Sequence, residues 1–197
     1  ESASPHQHPI YSLTPLVDRY LVSVDTMGIM AVWDMAKMQH PIEQYSLSWI
    51  GTAQDVAASC ISFKDDNTFF VAGEDGVMYR GQRHGEQKGI IKAFKHHNGP
   101  ITSVRTHPNA ASKSSSSLAP AWMNELVRKK RNLNKEDEEE SSTYGGRMSD
   151  LILTSSMDWS VSLWNPPISD TPILQISDFS DYVLDIQWNP VHSSAFA

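Results

Sequence analysis

A short cassette recurs along this chain, and its repetition limits the folds available. The copies are RYLVSVDTMGIMAVWD from Arg19 to Asp34, FFVAGEDGVMYR from Phe69 to Arg80, and LILTSSMDWSVSLWN from Leu151 to Asn165. In register, Met27-Gly28, Asp75-Gly76 and Asp158-Trp159 occupy one turn. An alternating run follows each turn: Ile29 to Trp33, Val77 to Gly81, Ser160 to Trp164. Apolar–polar alternation over a few residues marks a half-buried strand. Further runs of this kind lie at Ala58 to Phe63, Ile101 to Thr106 and Val183 to Trp188. The step from Ala58 to Ile101 is about 43 residues, and that from Ile101 to Val183 about 82, which is one repeat plus an insertion of about 40.

This period and the Leu-Trp ending of the third cassette resemble the blades of a WD40 β-propeller. The resemblance implies an all-β fold of four-stranded antiparallel blades. Blade one would cover His8 to Ser48, blade two Val56 to Phe94, and blade three Gly99 to Ser177. A fourth would begin at Asp181 with DYVLDIQWNPVHSSAFA. Propellers close a ring of about four to eight blades. Residues 1–197 therefore read as a partial propeller domain, about three blades plus the start of a fourth, with the remaining blades expected beyond Ala197.

Between Asn109 and Met148 the pattern breaks. ASKSSSSLAP is low-complexity. It is followed by AWMNELVRKKRNLNKEDEEE, which is rich in helix formers and lacks glycine. Trp122 with Leu126, and Met123 with Val127, have the spacing of one helical face. Arg128 to Arg131 form a basic block and Glu136 to Glu140 an acidic one that nearly cancels it. Two readings stand: a disordered surface insertion with a transient helix, or a helix that docks on a partner through Trp122 and Leu126, with Met123 as a further contact. Ser141, Ser142 and Thr143 beside the acidic run are candidates for phosphorylation.

The formal net charge of −7 gives no basic footprint for nucleic acid. A single cysteine, Cys60, excludes an internal disulfide and fits a reducing compartment as a buried thiol. No apolar run approaches the roughly 20 residues of a membrane helix, and ESASPHQHP lacks the features of a signal peptide.

His97, Thr154, Ser156, Asp158 and Trp164 gather the residue types of a hydrolase triad. In WD40 blades such positions form a structural hydrogen-bond network from histidine through hydroxyl and carboxylate to indole, and that is the expectation here. A nucleophilic triad also needs an oxyanion hole and an exposed serine, and no G-x-S-x-G elbow is present. The eight histidines pair with no cysteine or carboxylate at zinc-like spacing. No phosphate loop is visible. The chain is expected to carry no catalytic, metal or cofactor site. Arg80, Arg83 and His84, in YRGQRHG, read either as a solvated cluster or as an exposed rim able to engage a carboxylate. Trp159 stands where the other cassettes have glycine, so it is either an interface anchor or packs on the adjacent blade.

Several strings are narrower than the fold. HPIYSL, VAGEDGVMYRGQRHG, HNGPITSV, LTSSMDWSVSLW and DYVLDIQWNPVHSSAFA, in this order, resemble the propeller of cytoplasmic dynein intermediate chains. The resemblance covers most of the chain outside Asn109 to Met148. It implies a non-catalytic scaffold subunit of a microtubule motor, cytoplasmic and bound to the heavy-chain tail. In that family a separate N-terminal region, not present here, binds light chains and dynactin. The alternative is a WD40 scaffold of another intracellular complex. Arg80, Arg83, His84 and Trp159 are the candidate partner contacts.

Overall fold

In the computed structural model, residues 5–16, 19–49, 54–108, 125 and 147–197 are described. The chain forms three consecutive sheets, each built on a four-stranded antiparallel blade. Blade one is β1 (Ile10–Leu16), β2 (Tyr20–Asp25), β3 (Ile29–Asp34) and β4 (Glu43–Ser46), paired in that order. Next come two short linker strands, β5 (Ser48–Trp49) and β6 (Gln54–Asp55). Blade two is β7 (Ala58–Phe63), β8 (Thr68–Gly73), β9 (Val77–Gln82) and β10 (Gly89–Lys95). Blade three is β11 (Ile101–Thr106), β12 (Ile152–Ser156), β13 (Val161–Trp164) and β14 (Leu174–Ile176). The four-stranded antiparallel blades of a WD40 propeller are thus the fold of this chain.

The linker pair is an addition that the cassettes do not announce. Trp49 pairs in parallel with Ile90, so β5 and β6 extend blade two beyond β10 and cover its outer edge. An uncovered edge strand is a template for unwanted pairing.

Consecutive blades bury apolar faces against one another. Leu16, Val22, Val24, Met30 and Val32 of blade one meet Ile61, Phe69, Val71 and Tyr79 of blade two. Cys60, Phe70, Ala72, Met78 and Phe94 of blade two meet Ile101, Val104, Ile152 and Trp164 of blade three. Leu153, Val161 and Leu163 then pack on Ile186, Val183 and Trp188 of the tail. Alternation along each strand supplies the two apolar faces. Cys60 is a buried free thiol.

The inner strands are locked side by side through a repeated irregularity. β1, β7 and β11 each shift register at their second residue: Tyr11, Ser59 and Thr102. Ser59 Oγ donates to Ile101 O (2.5 Å), and Thr102 Oγ1 donates to Val183 O (2.5 Å). The tail therefore lies where the next inner strand would lie. It is not a regular strand there; its order resumes where Trp188 bridges Phe196. Ion pairs brace the junctions: Arg83–Glu43, Lys64–Asp150, Lys92–Asp170 and Arg105–Asp185.

Most of the insertion, and with it Trp122, Met123, Leu126, Val127 and both charge blocks, lies outside the described residues. At its return a short 3-10 helix, Met148–Asp150, leads into β12.

Candidate functional site

Four of the five residues singled out in blade three, His97, Thr154, Asp158 and Trp164, meet in one chain of side-chain hydrogen bonds. Trp164, fully buried, donates its indole N–H to Thr154 Oγ1 (2.8 Å). Thr154 Oγ1 lies 2.8 Å from His97 Nε2, and His97 Nδ1 lies 3.0 Å from Asp158 Oδ2. A threonine that accepts from the indole is free to donate to Nε2, which places the imidazole proton on Nδ1, facing the carboxylate. The other Asp158 oxygen accepts from Ser160 Oγ (2.6 Å) and from the Ser160 amide (3.1 Å). The Asn98 amide donates to Asp158 Oδ2 (3.0 Å).

Burial holds His97 below the ordinary histidine value and outweighs Asp158, which acts in the opposite direction. Burial works against the charge on Asp158, but hydrogen bonds from Ser160 and Asn98, together with His97, hold its carboxyl below the ordinary value. The resulting pair is a neutral imidazole on a carboxylate.

Ser156 does a different job. Its hydroxyl is buried and directed at the carbonyls of Gly99 and Pro100 (3.1 and 3.0 Å), and it accepts from the Asp158 amide (3.1 Å). His97 thus contacts Thr154 rather than Ser156, and the oxygen a nucleophile would need is engaged with backbone. Among the described residues no group of histidine, cysteine and carboxylate side chains could hold a metal ion.

A second network of the same kind sits in blade one, where the turn residues give no hint of it. Trp33 Nε1 donates to Ser23 Oγ (2.8 Å), Ser23 Oγ lies 2.6 Å from His6 Nε2, and His6 Nδ1 lies 3.0 Å from Asp25 Oδ2. The turn position of Asp158 is held by Met27, so the carboxylate comes from Asp25, at the strand end that Ser156 occupies in blade three. Two signals were available. His6 precedes β1 as His97 precedes β11. The hydroxyl-to-indole separation is 10 residues in both blades.

The candidate contact residues do not form one site. Arg83 is not on an exposed rim: it is 5% exposed, donates to Asp66 O (3.0 Å) and pairs with Glu43 (3.0 Å), bracing blade two against blade one. Its long apolar stem makes burial favourable once the guanidinium is paired. Arg80 is half-buried, and His84 is exposed. Trp159 lies at the opposite end of the strands from Arg83 and His84, on the turn between β12 and β13. It is 48% exposed and is the one non-glycine with positive φ (65°) among the described residues. The equivalent glycines, Gly28 and Gly76, have φ of 76° and 78°. A Cβ on either would come within 2.4 or 2.5 Å of a carbonyl oxygen of the following segment, at Val56 or His97.

No family model matches the chain. The sequence is 28% identical to the cytoplasmic dynein 1 intermediate chain of Drosophila melanogaster over 202 residues, covering 100% of this chain. The chain is similar to dynein intermediate chains along its whole length. It spans 25% of that relative. The crystal structure of a Mitotic Checkpoint Complex contains a chain that superposes with a TM-score of 0.62, covering 95% of this chain and 43% of that one at 12% identity. That likeness concerns the propeller fold alone. The likeness to the dynein intermediate chain includes the insertion, which the quoted strings leave out. Among the described residues no helix is long and apolar enough to cross a membrane.

Proposed function

We propose that this protein is a non-catalytic intermediate-chain subunit of the cytoplasmic dynein motor, acting at microtubules in the cytoplasm. Its blades serve as a scaffold that binds the heavy-chain tail. The observation that carries this is the 28% identity to a dynein intermediate chain across the full length of the chain. The hydrogen-bonding of blade three supports a scaffold: its His, Thr, Asp and Trp side chains are spent on one another. A network satisfied in this way rigidifies a blade. Residues 1–197 are proposed to form a partial propeller domain, with 109–148 as an insertion in blade three. Light chains and dynactin would be bound by a region outside this sequence.

The test is affinity purification of tagged full-length protein from cell extract. A very large ATPase chain is expected to co-elute in stoichiometric amount. A preparation that retains folded blades and yields no such chain sinks the proposal.

A further inference from the structure

The turn glycines of the first two blades set how closely the following segment approaches. A Cβ on Gly28 would lie 2.4 Å from Val56 O, and one on Gly76 would lie 2.5 Å from His97 O, although real Cβ contacts stay beyond 3.0 Å. Each of these carbonyls belongs to the segment that leads into the next inner strand, β7 or β11. The absent side chain is what lets that segment sit on the turn. Val56 is 4% exposed there and His97 7%.

Trp159 breaks this arrangement at the third junction. It holds the same turn position with a similar φ of 65°, but it carries a Cβ. A carbonyl placed like Val56 O or His97 O would collide with that Cβ, so the segment after blade three stands farther off. Ser177 to Tyr182 are all exposed. Among the described residues their one hydrogen bond is local, from the Tyr182 amide to the Asp181 carboxylate (2.7 Å). The segments at the earlier junctions are tied down instead. The Val56 amide donates to Leu47 O (2.9 Å), and the Asn98 amide donates to Asp158 (3.0 Å).

Both ends of the open segment are nevertheless fixed. Ile176 pairs with Val161. Val183 O accepts from Thr102 Oγ1 (2.5 Å), and the Val183 amide donates to Ser156 O (3.3 Å). Farther along, Arg105 Nε donates to Ile186 O (3.3 Å), and the Trp188 indole N–H donates to Arg105 O (3.2 Å).

We infer that Trp159 is a wedge and residues 177–182 are a flap. The Cβ in the left-handed turn keeps the turn end of the third junction open. The flap moves there while blade three and the chain beyond Val183 stay in place. A segment with few buried contacts and exposed backbone opens at little cost in free energy. Loop residues between fixed ends absorb such a motion. A bulky residue in the left-handed region is strained by roughly 1–2 kcal/mol, and strain of this kind clusters at switch regions. The device is a property of the junction and does not depend on which complex the protein serves.

Amide hydrogen exchange on the full-length protein tests it. After correction for intrinsic rates, Ser177 to Tyr182 should exchange about tenfold or more faster than Val56 and His97 to Gly99. Trp159→Gly removes the Cβ and should slow the flap by about threefold or more, leaving the two earlier junctions unchanged. Trp159→Ala removes the indole but keeps the Cβ, so the flap should stay as fast as in the parent. Trp159 is 48% exposed, so neither variant empties a core. Protection of the flap equal to that of the earlier junctions overturns the inference. So does a flap rate that Trp159→Gly leaves unchanged, or one that Trp159→Ala slows as much as Trp159→Gly does.

Discussion

Blades two and three share a backbone and solve the same packing problem with opposite chemistry. In blade three the pair Ile152/Trp164 faces the preceding blade, and the indole N–H is bonded through Thr154 to His97. In blade two the matching pair is Phe69/Gly81: the aromatic has crossed to the neighbouring strand, and a Cβ on Gly81 would lie 2.3 Å from its ring. Val71 replaces Thr154, so no hydroxyl is left unpaired. Tyr79 replaces Ser162, and its hydroxyl takes the Asp75 carboxylate at 2.5 Å, where Asp158 takes a histidine. Blade one follows blade three. A blade can therefore be held by a complete polar chain or by an apolar plug, but not by half of either, because a buried group without its partner loses its hydration uncompensated.

The sharpest way to break the comparison is to remove the aromatic. Trp164→Ala should destabilise the full-length protein by about 3–5 kcal/mol in urea unfolding, and Phe69→Ala by a similar amount. A much smaller loss at Phe69 would mean that the plug is not equivalent to the indole.

Thr154→Val comes next, at about 2–3 kcal/mol, since it strips both the indole and His97 of a partner. Ser23→Ala in blade one should lose less, because Trp33 is only partly buried. Equal losses would show that burial of the indole is not what sets the penalty.

The third effect is a pH response that only a histidine-bearing blade can give. His97 binds its proton less readily folded than unfolded, so its share of stability is complete above its ordinary value of 6.5 and declines as pH falls below it. Asp158, shifted down, gives stability above its ordinary 3.8 that is lost as pH falls through its lower folded value. Thermal unfolding followed from about pH 7 to about pH 5 should show the first decline, and His97→Gln should make it shallower. His107, also held low by burial, acts in the same window, so an unchanged slope would assign the response to it.

Smaller still, Tyr79→Phe should lower stability by about 1 kcal/mol by removing the bond to Asp75. Trp159→Gly should raise it by up to about 1 kcal/mol, because it restores the residue that the left-handed turn favours. A loss on Trp159→Gly would show the indole packing for stability rather than standing strained and open.

The turns, the alternating runs and the order of the blades were legible because register leaves them little freedom. Four residues of the blade-three network were legible because its carboxylate stands in the turn, whereas Ser156, expected in it, bonds backbone carbonyls instead. Its blade-one counterpart was not, since Met27 fills that turn position and Asp25 acts from the strand end. Arg83 was misplaced because an arginine beside a loop looks exposed until its partners, Glu43 and Asp66, arrive from distant segments. The β5–β6 pair was missed because strands of two residues carry no period.

The way blade three is interrupted has a practical consequence. Pro108 and Arg147 are brought together by anchors outside the insertion: Thr106 pairs with Ile152, the His107 amide bonds Leu151 O, and Lys64 clamps Asp150. Ends fixed in this manner make the blade nearly indifferent to how much chain passes between them, since doubling a loop costs only about 0.6 kcal/mol. That makes the junction a natural port for engineering, where a fluorescent domain or an affinity tag could be spliced while the blade keeps its register.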